Sequence, residues 1–106
     1  MHLTSLKIGF LGFGKMGAAI WNGLENQLRF PKEHAFFTEA SQELTTQIEQ
    51  SYGIQSRSLP ELVQETDLLL ICVKPQNLKD IIQQLAKTEL SSEQLLISIA
   101  AGIPIH

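Results

Sequence analysis

Apolar residues fall along this chain in five short runs, separated by stretches where they recur every three or four positions. Lys7–Leu11 (KIGFL), His34–Thr38 (HAFFT), Ile54–Ser56 (IQS), Asp67–Val73 (DLLLICV) and Gln94–Ala100 (QLLISIA) have the length and composition of strands. Asp67–Val73 is almost wholly apolar, as a strand covered on both faces inside a parallel sheet would be. Between the first two runs, Met16, Ala19, Ile20, Gly23, Leu24 and Leu28 repeat at helical spacing, and Pro31 with its neighbours closes the segment. Ser41 is placed to cap a second helix with Leu44, Ile48 and Tyr52 on one side and Gly53 at its end. Pro60, favoured as a first helical residue, starts PELVQET. Leu78, Ile81, Ile82 and Leu85 mark a fourth helix in NLKDIIQQLAK.

Five strands thus alternate with four helices. That order predicts an α/β fold, a parallel sheet with helices on both faces and right-handed crossovers. No repeat, low-complexity segment or linker divides the chain, so residues 1–106 read as one domain. The first strand-to-helix junction carries the candidate chemistry. Gly12-Phe13-Gly14-Lys15-Met16-Gly17 matches G-x-G-x-x-G, a weak pattern alone but placed here where a dinucleotide-binding turn requires it. Gly12 permits the tight turn, Gly14 lets a pyrophosphate approach the backbone, and Gly17 lets the helix pack on the sheet. The opening of the helix then offers free N–H groups and partial positive charge to phosphate. Lys15 either adds charge near the pyrophosphate or is a solvated residue of the first turn. Gly9 and Gly23 lie outside the motif and are read as sites of close strand and helix packing.

This places the fold in the Rossmann-type class, with a three-layer arrangement and strand order 3-2-1-4-5. Such domains have an acidic residue about 20 positions beyond the glycines, at the end of the second strand. Glu39 stands there, in FFTEAS. A carboxylate accepts hydrogen bonds from ribose hydroxyls and repels a 2′-phosphate, and no Arg or Lys follows closely to offset it. Taken alone, Glu39 favours NAD over NADP; the other reading is a solvent-exposed loop glutamate.

Composition mainly excludes. A net charge of −3, with eight Lys and Arg spread without a cluster, argues against nucleic acid or anionic lipid as partner. A single cysteine, Cys72, precludes an intrachain disulfide. It reads as a small buried hydrophobe, since His2, His34 and His106 stand far from it in sequence and lack metal-ligand spacing. No apolar run reaches the ~20 residues that span a bilayer, and MHLTSLK lacks a signal-peptide core, so a soluble cytoplasmic protein is expected.

Three segments, IGFLGFGKMGAAIWNGL, DLLLICVKPQNLKDIIQQL and LLISIAAGIPI, together resemble the N-terminal domain of pyrroline-5-carboxylate reductase. The VKPQ and ISIAAGI stretches are the more specific parts. The resemblance implies reduction of 1-pyrroline-5-carboxylate to L-proline by hydride from NADPH or NADH, with the cofactor across the C-terminal strand ends. By motif it puts the pyrophosphate loop at Gly12, Phe13, Gly14, Lys15 and Met16. The ribose side falls in the Thr38–Ser41 loop, with Glu39 and Ala40. Further contacts fall at Cys72, Val73, Lys74 and Pro75, and at Ile99, Ala100 and Ala101. Bottom-up, Pro75 forces Lys74 into an extended conformation, so the chain leaves the strand sharply. The small Ala100, Ala101 and Gly102 leave room for a flat ring, although a plain turn and a packing site fit these segments as well.

Glu39-Ala40 departs from the polar or basic pair of NADP-using members, and Cys72 stands where Ala is common. The family's second, helical domain, which forms the dimer and supplies the substrate pocket, has no counterpart here. The expectation is therefore a cofactor-binding piece cut from a longer, homo-oligomeric enzyme, inactive alone, with catalytic groups elsewhere. The alternatives are another reductase with this cofactor domain, of the β-hydroxyacid dehydrogenase or F420-dependent NADP reductase type, or a non-catalytic dinucleotide-binding module.

Overall fold

A computed structural model describes residues 5–88 and 95–98. Five parallel strands, β1 (Ile8–Leu11), β2 (Ala35–Thr38), β3 (Gln55–Ser56), β4 (Leu68–Ile71) and β5 (Leu95–Ser98), form one sheet in the order β3-β2-β1-β4-β5. The strand order expected from the alternation is the one observed. Four helices connect them: α1 (Gly14–Leu28), α2 (Gln42–Tyr52), α3 (Leu59–Glu65) and α4 (Pro75–Ala86). Among the described residues no helix is long and apolar enough to cross a membrane.

Side chains alternate across the three central strands and build two cores. Ile8, Phe10, Ala35, Phe37 and Leu70 face α1 and α2, where Phe13, Trp21, Phe30, Ile48 and Ile54 join them. Leu11, Phe36, Leu69 and Ile71 face the other way, packing with Leu62, Val63, Leu78 and Leu85 of α3 and α4. This is the two-faced burial that the apolar run at Asp67–Val73 implied. Gly9 sits at a close approach as expected: a Cβ there would lie 2.9 Å from the Leu62 side chain.

The helical period of α1 is right in the sequence but its phase is not. The helix begins at Gly14 and buries Gly17 and Trp21, with Ala18, Ile20 and Leu24 partly covered, whereas Met16 and Leu28 are 43% and 48% exposed and Ala19 also faces out. Trp21 sets the phase because its ring gives up the most apolar surface, closing edge-on against Phe30 at 6.2 Å. Gly23, expected at a packing contact, has no atom within 4 Å of where its Cβ would stand. In α2, Ile48 and Tyr52 lie on the core side as expected, and Leu44 is the one position that does not. Thr45 and Ile48 are buried, and Leu44 is 46% exposed.

The caps mostly follow the sequence. Ser41 Oγ accepts from the Leu44 N–H at 3.2 Å, and Gly53 ends α2 in the left-handed region at φ 73°. Arg29, two residues before Pro31, terminates α1, taking φ 53° as the cap while Phe30 turns back into the core. For α3 the cap is Ser58 and Pro60 is one position inside. Ser58 and Glu61 form a reciprocal capping box that holds the exposed Glu61 carboxyl below the usual carboxylate range.

Candidate functional site

The sheet fixes where a site can form. β1 pairs with β2 on one side and with β4 on the other, so the chain runs outward in opposite senses from this point. In open α/β sheets the crevice beyond the strand ends at such a reversal is where ligands bind. Gly12 N–H donates to the Thr38 carbonyl at 3.0 Å and Cys72 N–H to the Leu11 carbonyl at 2.9 Å. These bonds extend the ladders past the strands and bring the first turn, the β2 end and the β4 end side by side.

Within the turn the three motif glycines meet three different needs. Gly12 has φ 74°, and a Cβ there would stand 2.7 Å from Val73 Cγ1, so this glycine lets β1 and β4 exits cross closely. Gly14 has φ 52° and nothing within 4 Å of its missing Cβ; the space above it is open. Gly17 was expected to admit the helix to the sheet. Its bare backbone instead admits the Phe13 ring, which a Cβ would meet at 2.9 Å.

Phe13 is the residue whose place differs most from expectation. Its ring is 1% exposed and packs edge-on against Phe10 at 5.1 Å and Tyr52 at 5.0 Å. Its N–H donates to Glu39 Oε2 at 2.6 Å. Its side chain is thus packed inward and its amide is taken by Glu39, while the residue still borders the cavity between α1 and α2. The helix opens immediately after it. Gly17 N–H already reaches the Phe13 carbonyl at 2.6 Å, whereas Gly14, Lys15 and Met16 hold the first three helical positions, whose N–H groups have no carbonyl one turn back.

Two cavities flank this point. The first, about 450 Å³, lies between the turn, the β2 end and one side of α4; Gly12, Glu39, Ala40, Val73, Asp80 and Gln84 are among its lining residues. The second, about 340 Å³, lies between α1 and α2, against Gly14, Lys15, Ala18, Glu39, Gln47 and Tyr52. Glu39 lines both. Neither is plugged by Phe13 or Met16, since the ring of Phe13 turns down into the core and Met16 is exposed beside the turn. A ligand with a diphosphate and two flanking rings finds a bare turn, free amides and adjacent space. The residues present fit a dinucleotide.

Val73 lines the first cavity as expected, and Lys74 takes the predicted extended conformation (φ −65°, ψ 151°) with Pro75 at the first position of α4. Lys74 itself is exposed. Cys72 is half-buried against the α1/α2 core, and burial, followed by the Glu39 charge, pushes its thiol up to about 11 from an ordinary 9.0. It is poorly ionised and suits no nucleophilic role. Ile99, Ala100 and Ala101 lie outside the described residues. The sequence reading missed Leu59, Asn77, Asp80, Ile81 and Gln84. The 77, 80/81, 84 spacing directly after the β4 exit was the available signal.

Residues 7–102 match the family model described as NADP oxidoreductase, coenzyme F420-dependent. The chain belongs to this family. Among its curated relatives, pyrroline-5-carboxylate reductase of Methanosarcina acetivorans is 37% identical over 97% of the chain, and that of Pseudomonas aeruginosa is 35% identical over 96%. A crystal structure of pyrroline carboxylate reductase from Plasmodium falciparum with NADP bound superposes over 98% of the chain, with a TM-score of 0.79 and 28% identity. The chain spans 38%, 37% and 37% of these three proteins' lengths. In this oxidoreductase family the turn at Gly12–Gly17 is thus carried on the expected Rossmann-type sheet.

Proposed function

We propose that residues 1–106 form the dinucleotide-binding domain of a pyrroline-5-carboxylate reductase, working as part of a longer, homo-oligomeric cytoplasmic enzyme. The observation that carries the reading is the open, positive-φ Gly14 at the head of α1, directly over the β1/β4 reversal. The names of its relatives supply the substrate. Gly14, Lys15 and Met16 would receive the diphosphate through their amides. Glu39 and Ala40 would border the adenosine ribose, and Val73, Lys74 and Pro75 the middle of the cofactor. Ala100 and Ala101 would border the nicotinamide. When bound, the reduced nicotinamide supplies hydride to the C=N carbon of 1-pyrroline-5-carboxylate, giving L-proline once the nitrogen is protonated. The domain's part is to hold one reactant in a single orientation and keep water from it.

Glu39 further supports a preference for NADH. A 2′-phosphate bearing about −1.5 to −2 charges at roughly 5 Å from a carboxylate is repelled by roughly 1–2 kcal/mol even at the dielectric of water, on the order of tenfold in affinity. Parallel fluorescence titrations of the chain with NADH and NADPH, and turnover assays of the longer enzyme with pyrroline-5-carboxylate, test both parts. The account expects saturable binding, tighter for NADH, and turnover by the longer enzyme but not by residues 1–106. Reduction of a deazaflavin of the F420 type by the longer enzyme, with no turnover of the imine, would refute the substrate assignment.

A further inference from the structure

We infer that Glu39, besides bordering the ribose as proposed above, pins the glycine-rich turn through one carboxylate oxygen, and that this pinning is separable from the effect of its charge on the sugar. This rests on the dinucleotide reading above. The pinning task is visible in the fold. Phe13 is held from two sides, its ring by Phe10, Phe37 and Tyr52 and its N–H by Glu39 Oε2 at 2.6 Å. It stands between two left-handed glycines, Gly12 at φ 74° and Gly14 at φ 52°, which leave the turn free to take other conformations. A charged acceptor 26 residues away along the chain removes that freedom. It also puts negative charge at the start of α1, where the first turn has no acidic residue of its own.

Two consequences follow from that hydrogen bond. The Phe13 amide is already used, so the diphosphate must be received by the three amides after it, at Gly14, Lys15 and Met16. The carboxyl also borders both cavities, so its other oxygen remains available to hydroxyl donors of the ribose. Glu39 is thus a positioning residue for the turn and a discriminator for the sugar. Glutamine separates the tasks because its carbonyl oxygen still accepts from Phe13 while its charge is gone. Alanine removes both.

The test is amide hydrogen exchange at Phe13, with NADH and NADPH titrations, on the whole chain as wild type, Glu39→Gln and Glu39→Ala; exchange of the β1 and β4 amides reports that each variant is folded. In Glu39→Ala the Phe13 amide should exchange on the order of tenfold faster than in wild type, with both dinucleotides weakened. In Glu39→Gln the exchange should stay nearer to wild type, while the NADPH-to-NADH affinity ratio rises on the order of tenfold. Unchanged Phe13 exchange in Glu39→Ala would overturn the pinning task. An unchanged affinity ratio in Glu39→Gln would overturn the selecting task, and Gln behaving as Ala in both readouts would overturn their separability. A wild-type chain that binds neither dinucleotide yet protects Phe13 would reject the ligand reading while leaving the pin in place.

Discussion

Replacing Gly14 by alanine should separate binding from folding. The position has φ 52°, in the left-handed region where a Cβ costs about 1–2 kcal/mol. Restricting the unfolded chain returns about 0.4–1 kcal/mol. Outside its chain neighbours and its own helical turn nothing lies within 4 Å of the new methyl group, so no packing penalty is added. The net cost is about 1 kcal/mol, which lowers the melting temperature by about 4–8 °C in a domain of this size. Binding should suffer far more. The methyl group projects into the space through which a diphosphate reaches the Gly14 and Lys15 amides. Losing two such charge-assisted hydrogen bonds, at about 1.5–3 kcal/mol each, weakens affinity by a hundredfold or more. Gly12→Ala is the control. There the methyl group would stand 2.7 Å from Val73 Cγ1 and 3.4 Å from the Val73 backbone, adding about 1–3 kcal/mol of overpacking to the same strain. Circular dichroism melts and NADH fluorescence titrations on both variants decide the matter. Wild-type NADH affinity in a folded Gly14→Ala protein would refute the reasoning, as would a larger loss of stability for Gly14→Ala than for Gly12→Ala.

Ser58→Ala should cost about 1 kcal/mol at neutral pH by removing the α3 cap. Because the Glu61 carboxyl is held below its ordinary 4.5, that box stabilises above pH 4.5 and its contribution is lost as pH falls through the depressed value; the variant keeps the backbone N–H bond from position 58 to Glu61, so the melting-temperature gap should narrow in acid only by the hydroxyl's share, and a gap independent of pH would contradict that share. The rate of Cys72 alkylation should keep rising well past pH 9 rather than levelling there. Glu39→Gln should move that midpoint down yet leave it above 9.0, since burial is the larger cause and the Glu39 charge the smaller. A plateau below pH 9 in wild type would contradict the half-buried setting of the thiol.

The architecture was legible because strand burial on both faces and helical period are local signals. β1, β2 and β4 each alternate between two cores, and their runs in sequence are nearly all apolar. What failed was phase. Met16, Leu28 and Leu44 look like core residues by type, but Trp21 decided which side of α1 turned inward, and in α2 Thr45 rather than Leu44 took the buried place beside Ile48. The turn was legible in its spacing and in the position of Glu39. Its internal wiring was not, because the bond from Phe13 to Glu39 joins residues 26 positions apart, and the burial of the Phe13 ring depends on Phe10, Phe37 and Tyr52 meeting beneath it. Gly17 shows the limit well. Its need for a missing side chain was anticipated, while the ring that fills the gap comes from inside the motif itself.

The most direct measurement is an amide chemical-shift map of the isotopically labelled chain titrated with NADH. The account predicts saturable shifts centred on Gly14, Lys15 and Met16, extending to Thr38–Ala40, Val73 and the 77–84 side of α4. Saturable binding whose shifts leave residues 14–16 unmoved, or the absence of any saturation, would contradict it.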